Sequence, residues 1–186
     1  MPKSKNLKPG INGPHGQHDG RTDDWLTPLP ILHALGIFDL DPCAAPSPRP
    51  WPTAKVMWTK KDDGFSKSWT SVSGPHMGEL CRVWLNPPYG VETGKWVQRL
   101  ADHGNGVALV FARTDTRFWH DVVVKRAEAI LFLDGRLTFC RPDGRPASAN
   151  SGGPSALIAF GRDNVRVLRE SGLHGHFVKI RPGDQQ

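Results

Sequence analysis

The sequence predicts one α/β domain with a mostly parallel central sheet. Short apolar segments alternate with segments of helical periodicity through the middle of the chain. Residues 107–112 form a continuous apolar run, as expected of a central strand that is buried on both faces. The chain has 186 residues, which suits a single domain with a substantial core. We assign this domain to residues 22–181 and interpret residues 1–21, rich in Gly, Pro, Lys and His, as a flexible basic tail.

Three helices are predicted from apolar residues that recur at helical spacing. Thr27 is the expected cap of the first helix, Pro28 its first residue and Gly36 its end. The other two helices contain residues 96–101 and 118–123.

The apolar segments between and after these helices are the predicted strands. They occupy residues 37–42, 55–58, 83–86, 107–112, 129–133, 155–160 and 176–180. Residues 141–154, rich in Gly, Pro, Ser and Asn, form a long predicted loop. Ligands of α/β sheets bind beyond the carboxyl ends of the strands. Two predicted strands end in polar, proline-containing segments, Asp-Pro-Cys-Ala at 41–44 and Asn-Pro-Pro-Tyr at 86–89. We therefore expect the functional site at these two strand ends.

Composition and charge narrow the class of protein. Hydrophobic residues make up 38% of the chain, and no apolar run approaches the ~20 residues that span a bilayer. The first residues lack the apolar core of a signal peptide, so we expect a cytoplasmic protein without membrane contact. Three widely spaced cysteines without a CxxC motif predict free thiols and no metal site. A formal net charge of +6 favours a polyanionic partner such as nucleic acid.

The segment Asn86-Pro87-Pro88-Tyr89 has the chemistry of a site for an aromatic amine. The two prolines hold the backbone rigid and leave carbonyl groups free to accept hydrogen bonds. Asn86 adds a side-chain acceptor, and Tyr89 adds a flat face on which a planar ring can stack. The alternative is a strand followed by a Pro-Pro turn with the tyrosine packed on the surface.

Such a pocket suits methylation of an exocyclic amine. The lone pair of this nitrogen is delocalised into its ring, so the nitrogen is a poor nucleophile. Two acceptors, the Asn86 side-chain oxygen and the Pro87 carbonyl, would hold both N–H bonds and favour a pyramidal nitrogen with a free lone pair. Positioning would then supply most of the acceleration, and a base in duplex DNA would first have to leave the stack.

Here the chain resembles the phage-type DNA N-6-adenine methyltransferase family. Residues 86–89 match the (D/N/S)PP(Y/F/W) motif of amino-methyltransferases. Further matching segments extend from about residue 23 to 161, and they are 24–28, 39–44, 61–65, 83–90, 114–116 and 154–161. The resemblance implies a Rossmann-like methyltransferase fold, with a mostly parallel central sheet and helices on both faces. It also implies S-adenosylmethionine as cofactor, adenine N6 in double-stranded DNA as acceptor, and residues 86–89 as the catalytic motif.

The cofactor residues are expected in three segments. Asp41, at a strand end, would contact the methionine amino group, and the glycine-poor turn Pro42-Cys43 follows it, as in the resembling family. The Trp25, Thr27 and Pro28 segment would offer helix N–H groups to the methionine carboxylate, and Asp63 would accept from the adenine amine or ribose. The alternatives are an Asp41 that caps its turn, capping by Thr27 with core packing by Trp25, and an ordinary surface turn at Asp63.

Arginines near predicted strand ends and loops are the candidates for DNA contact. They are Arg113, Arg117, Arg136, Arg141 and Arg145. Solvated surface arginines are the alternative for each. Three functional alternatives remain open from sequence: methylation of an RNA base, of cytosine N4 or of a protein glutamine, and a non-catalytic DNA-binding relative.

Overall fold

The structure is a computed structural model that describes residues 24–75 and 78–180. It contains a seven-stranded sheet, with one helix before the first strand and the other helices between later strands. In chain order the elements are α1 (Leu29–Leu35), β1 (Leu40–Asp41), β2 (Val56–Met57), β3 (Val83–Leu85), α2 (Thr93–His103), β4 (Gly106–Phe111), a π-helical segment (Trp119–Val123) that continues into α3 (Val124–Arg126), β5 (Ala129–Leu133), β6 (Ser155–Phe160), α4 (Arg162–Glu170) and β7 (Gly175–Lys179). The predicted tail, residues 1–21, lies outside the described residues.

The sheet is mixed, so the prediction of a mostly parallel sheet is wrong. The strand order is β2-β1-β3-β4-β6-β5-β7. The three pairs among β1 to β4 are parallel, whereas β6 pairs antiparallel with β4 and β5, and β7 antiparallel with β5. The antiparallel ladders are the longer ones. Every residue of β6 is buried, and because such a strand is a continuous apolar run in either orientation, its composition does not reveal its direction.

Helices pack on both faces of the sheet. Along β4, Ala108 and Val110 belong to one core, together with apolar side chains of α2 and the π-helical segment. Val107 and Leu109 point the opposite way and belong to a second core, together with apolar side chains of α1 and α4. The alternation follows from the two-residue period of a strand.

The helices agree with their predicted positions except at two points. Gly36 ends α1 with φ 78°, as predicted. The cap of that helix is Pro28 rather than Thr27, whose hydroxyl has no hydrogen-bond partner among the described residues. α4 is an additional helix that the sequence reasoning missed, because its apolar side chains, Val165 and Leu168 foremost, are few among many charged ones.

In the parallel part of the sheet, the direction in which successive strands are added reverses once. After β1 it moves outward to β2 and then returns past β1 to form β3 on the other side. This reversal of strand order is a topological switch point, and ligands of open α/β sheets bind in the crevice at such a point, outside the carboxyl ends of the strands. Asp41 is the last residue of β1, and Asn86 directly follows β3, so the two predicted strand ends flank the crevice.

Candidate active site

Cys43 joins the two strand ends that flank the switch point. Its backbone N–H donates to Oδ1 of Asp41 at 3.0 Å, and its thiol donates to the backbone carbonyl of Asn86 at 3.3 Å. Burial raises the pKa of this thiol, and the Asp41 carboxyl adds to the effect, so the sulfur stays protonated and remains a donor. The turn after β1 and the motif after β3 therefore form one structural unit.

Asp41 is a buried carboxylate with polar neighbours but no ion-pair partner among the described residues. Its side chain accepts from the Thr53 hydroxyl at 2.5 Å as well as from the Cys43 N–H. Burial raises its pKa from 3.8 to about 6, against the lowering effects of these hydrogen bonds and of the Arg49 charge. A buried carboxylate of this kind is stabilised when a cation binds next to it.

The N-terminal segment reaches the same edge of the sheet. Leu26 pairs with Cys140, in the loop that follows β5, through two backbone hydrogen bonds of 2.9 Å. The Trp51 indole donates to the Thr27 carbonyl at 3.2 Å, and the buried Thr27 hydroxyl has no partner within the described part of the chain. Trp25 is half-buried against the second core. The structure thus brings this predicted cofactor segment to the carboxyl edge where β5, like β1 and β3, ends.

Asp63 lies next to the turn after β1 because Gly64 packs directly on Pro42. A Cβ at Gly64 would stand 2.0 Å from the Pro42 carbonyl oxygen, so only glycine fits this contact. Asp63 itself has φ 49° and is exposed. Its side chain has no hydrogen bond among the described residues, and it is therefore free to accept one from a ligand.

The turn after β3 leaves two oxygens available. The Asn86 Oδ1 atom accepts only a long hydrogen bond, 3.3 Å, from the Tyr89 hydroxyl. The Pro88 carbonyl accepts from the Thr93 hydroxyl at 2.9 Å. The Pro87 carbonyl has no donor within the described part of the chain. Within the described residues, the two oxygens that the sequence analysis singled out, Asn86 Oδ1 and the Pro87 carbonyl, thus keep capacity to accept hydrogen bonds.

The Tyr89 ring is held by two phenylalanines. It stacks on Phe111, at the end of β4, with ring centroids 4.2 Å apart and an interplanar angle of 13°. Phe139 contacts it edge-on at 6.0 Å. Burial raises the pKa of the Tyr89 hydroxyl well above its usual value. Phe111 therefore covers one face of the ring, and the ring itself lines a cavity.

A cavity of about 480 Å³ lies beside this aromatic pair. Its lining includes Tyr89, Val91, Phe111, Arg113, Arg117 and Phe118, but neither Asp41 nor Asn86. Cavities of this size accommodate small organic ligands. We call it the Tyr89 cavity, and it adjoins the Asn-Pro-Pro-Tyr segment on the side of β4.

The structure separates the predicted DNA-contacting arginines into two groups. Arg113 and Arg117 are exposed and line the Tyr89 cavity, and the Arg113 guanidinium stands 5.9 Å from the Phe111 ring centre. Arg141 and Arg145 belong to a hairpin turn in the loop after β5, where Arg145 pairs with Asp143 at 2.7 Å. Arg136 donates to the Ser151 carbonyl at 3.3 Å within that loop.

Four site residues escaped sequence reasoning. They are Thr53, Gly64, Thr93 and Phe111. Thr53 and Phe111 gave no sequence signal, because no local pattern links either residue to its partner, Asp41 or Tyr89. The Asp-Asp-Gly turn at 62–64 could have pointed to Gly64, and the closeness of Thr93 to the motif could have pointed to Thr93.

Within residues 24–75 and 78–180, no helix combines the length and apolar character needed to span a bilayer. The same residues hold no group of three or more His, Cys, Asp or Glu side chains that could bind a metal ion.

The family model of the DNA N-6-adenine-methyltransferases (Dam) matches residues 16–169 of the chain. Searches of curated proteins and of solved structures found no match.

Proposed function

The chain belongs to the DNA N-6-adenine-methyltransferase (Dam) family, and on this premise we propose that it transfers a methyl group from S-adenosylmethionine to N6 of an adenine flipped out of double-stranded DNA. The observation that carries the proposal is the pair of available acceptors after β3, Asn86 Oδ1 and the Pro87 carbonyl, next to the buried Asp41 across the switch point. Acceptors in this position match an –NH₂ group, which has two hydrogens to donate.

The residues at the switch point fit the cofactor. Asp41 is a buried carboxylate that would gain stability from a cation, and the methionine part of S-adenosylmethionine carries an ammonium group. The Thr27 hydroxyl is a buried polar group without a partner among residues 24–75 and 78–180, and it would gain one from a polar ligand. Asp63 supplies a further free carboxylate beside Pro42. When bound, S-adenosylmethionine supplies a methyl group already activated on a sulfonium sulfur.

The chain's own residues then have distinct roles. Asn86 and Pro87 accept the two N–H bonds of the target amine, which turns its lone pair away from the ring system. Cys43 fixes the Asn86 backbone relative to the turn of Asp41, so the amine site and the cofactor site keep a constant spacing. Tyr89, supported by Phe111 and lining the cavity, would supply the aromatic surface on which the flipped base stacks. Pre-arranged positions of this kind are the main source of acceleration when the leaving group is already good.

Three further points complete the proposal. The arrangement of β1 to β5, which all run in one direction with helices on both faces, supports a Rossmann-like methyltransferase fold with β6 and β7 as antiparallel additions. The net charge of +6 supports binding to the phosphate backbone. Arg113 and Arg117, exposed at the Tyr89 cavity, are the candidates nearest the motif for phosphate contact.

The decisive test is mass analysis of nucleosides from DNA incubated with the protein and labelled S-adenosylmethionine, with RNA and protein substrates assayed in parallel. We expect N6-methyladenine in the DNA. Label in cytosine, RNA or protein instead of adenine would show that the methyl acceptor is a different one. Absence of label from every substrate would refute the enzymatic assignment.

Asn86→Ala should abolish transfer and leave cofactor binding unchanged, because Asn86 holds the amine while Asp41 holds the cofactor. Asn86→Asp, which preserves an acceptor at this position, should retain measurable transfer. Gln98→Ala, which removes a similar amide from α2 away from the motif, is the matched control and should transfer normally. A near-normal rate for Asn86→Ala would show that the amine is not held there.

A further inference from the structure

We infer that Val91 is the wedge that opens the DNA duplex for this enzyme: its side chain enters the space that the target adenine leaves and contacts the base left behind on the opposite strand. This inference rests on the proposed function, because it assumes an adenine that starts inside a duplex. Val91 follows the catalytic motif by two residues, and 93% of its surface is exposed.

The turn that carries Val91 is rigid. The Thr93 hydroxyl is buried and ties the turn together: it accepts from the Gly90 N–H at 3.1 Å and donates to the Pro88 carbonyl at 2.9 Å. The Thr93 N–H in turn donates to the Gly90 carbonyl at 3.3 Å. Gly90 has φ 132°, a conformation that favours glycine. The backbone on both sides of Val91 is therefore held by hydrogen bonds, and a wedge needs such a fixed base.

The surroundings of Val91 suit DNA. It lines the Tyr89 cavity together with Arg113 and Arg117, so an apolar tip and two guanidinium groups face the same space. The neighbouring Glu92 carboxylate, which alone would repel phosphate, forms an ion pair with Lys95 at 3.0 Å. Val91 thus lines the same cavity as Tyr89, which would hold the flipped base, and as the two arginines, which would hold the backbone.

Apolar side chains inserted between base steps are a recurrent way in which proteins unstack DNA. Flipping a base costs a few kcal/mol, and this cost is lowest for a base that is already unpaired. A side chain that fills the vacated space reduces the cost only when the target is paired. This difference separates a wedge from a residue that supports the fold or the chemistry.

The test is single-turnover methylation of two duplexes built around an adenine that the unaltered protein methylates, with the target opposite thymine in one and opposite an abasic site in the other. For Val91→Ala we expect a loss of roughly tenfold on the paired target and a near-normal rate on the unpaired one. Val91→Leu should keep most of the rate on both. Ile37→Ala is the matched control, since Ile37 is also an exposed apolar residue, at 74%, and lies before β1 at the opposite edge of the sheet.

Fluorescence of 2-aminopurine at the target position, measured with S-adenosylhomocysteine, adds a readout of flipping without chemistry. We expect Val91→Ala to reduce its rise in the paired duplex and not in the abasic one. Equal losses on both duplexes, or no loss on the paired one, would overturn the wedge while leaving the methyltransferase assignment intact. Failure of the unaltered protein to methylate any duplex adenine would overturn the assignment of the substrate and the wedge with it.

Discussion

Replacement of Asp41 by asparagine should stabilise the protein in the absence of cofactor and weaken its binding of S-adenosylmethionine. Asparagine has the shape of aspartate, and its amide can still accept from the Cys43 N–H and pair with the Thr53 hydroxyl, which currently donates to Asp41. The substitution therefore removes the charge and little else.

The size of the effect follows from the pKa of Asp41. Burial raises it from 3.8 to about 6, and a difference of about two pKa units corresponds to about 3 kcal/mol. Below pH 3.8 the carboxyl is protonated in both folded and unfolded chains, so the penalty is absent. The penalty grows as the pH rises towards about 6 and is fully present above it. Asp41→Asn should thus raise the free energy of unfolding by up to about 3 kcal/mol at neutral pH.

Urea unfolding of both proteins at neutral and at acidic pH measures this stabilisation, which should shrink as the pH falls. Calorimetric titration with S-adenosylmethionine measures the loss of binding, which we expect to reach at least about tenfold, or about 1.4 kcal/mol. At pH values below about 6, the affinity of the unaltered protein for S-adenosylmethionine should decrease, because protonated Asp41 no longer attracts an ammonium group. The variant should lack this pH dependence.

Two results would refute the reasoning. If Asp41→Asn destabilised the cofactor-free protein at neutral pH, the carboxylate would be a structural acceptor whose hydrogen bonds outweigh the cost of burying its charge. If the variant bound S-adenosylmethionine as tightly as the unaltered protein, the ammonium group would be held elsewhere. Opposite changes in stability and affinity are expected only for a charge kept in the fold for its ligand.

Three further predictions concern the residues that would bind the DNA. Tyr89→Ala should raise the activation free energy of single-turnover methylation by ~1–3 kcal/mol, because the base loses its stacking surface. Tyr89→Phe should have a much smaller effect. If both variants were equally slow, the hydrogen bond from the Tyr89 hydroxyl to Asn86 would be essential. Phe111→Leu should also slow methylation at saturating cofactor, because the Tyr89 ring loses its backing, and an unchanged rate would show that the ring is held without it. Affinity for DNA should fall steeply as the salt concentration rises. Replacing both Arg113 and Arg117 by Gln should reduce the slope of log affinity against log salt concentration by about 2. An unchanged slope would exclude both arginines from phosphate contact.

Local signals in the sequence were sufficient for much of the fold. Gly36 marked where α1 ends, because positive φ at a helix end favours glycine. The apolar runs placed β4, β5 and β6 to within a residue. The direction of β6 was not predictable, since a strand buried on both faces has the same composition in either orientation.

The candidate site divides in the same way. The sequence by itself supplied the features on which the proposed chemistry rests. The order Asn-Pro-Pro-Tyr after one strand and an acidic residue at the end of another are local features, and the family match extends across both. Only the tertiary structure decided how these parts meet. The switch point between β1 and β3, the Cys43 thiol on the Asn86 carbonyl and the Phe111 ring behind Tyr89 all join residues far apart in the chain. Such contacts depend on strand order and packing, and a single sequence contains no local pattern that encodes which distant side chains become neighbours.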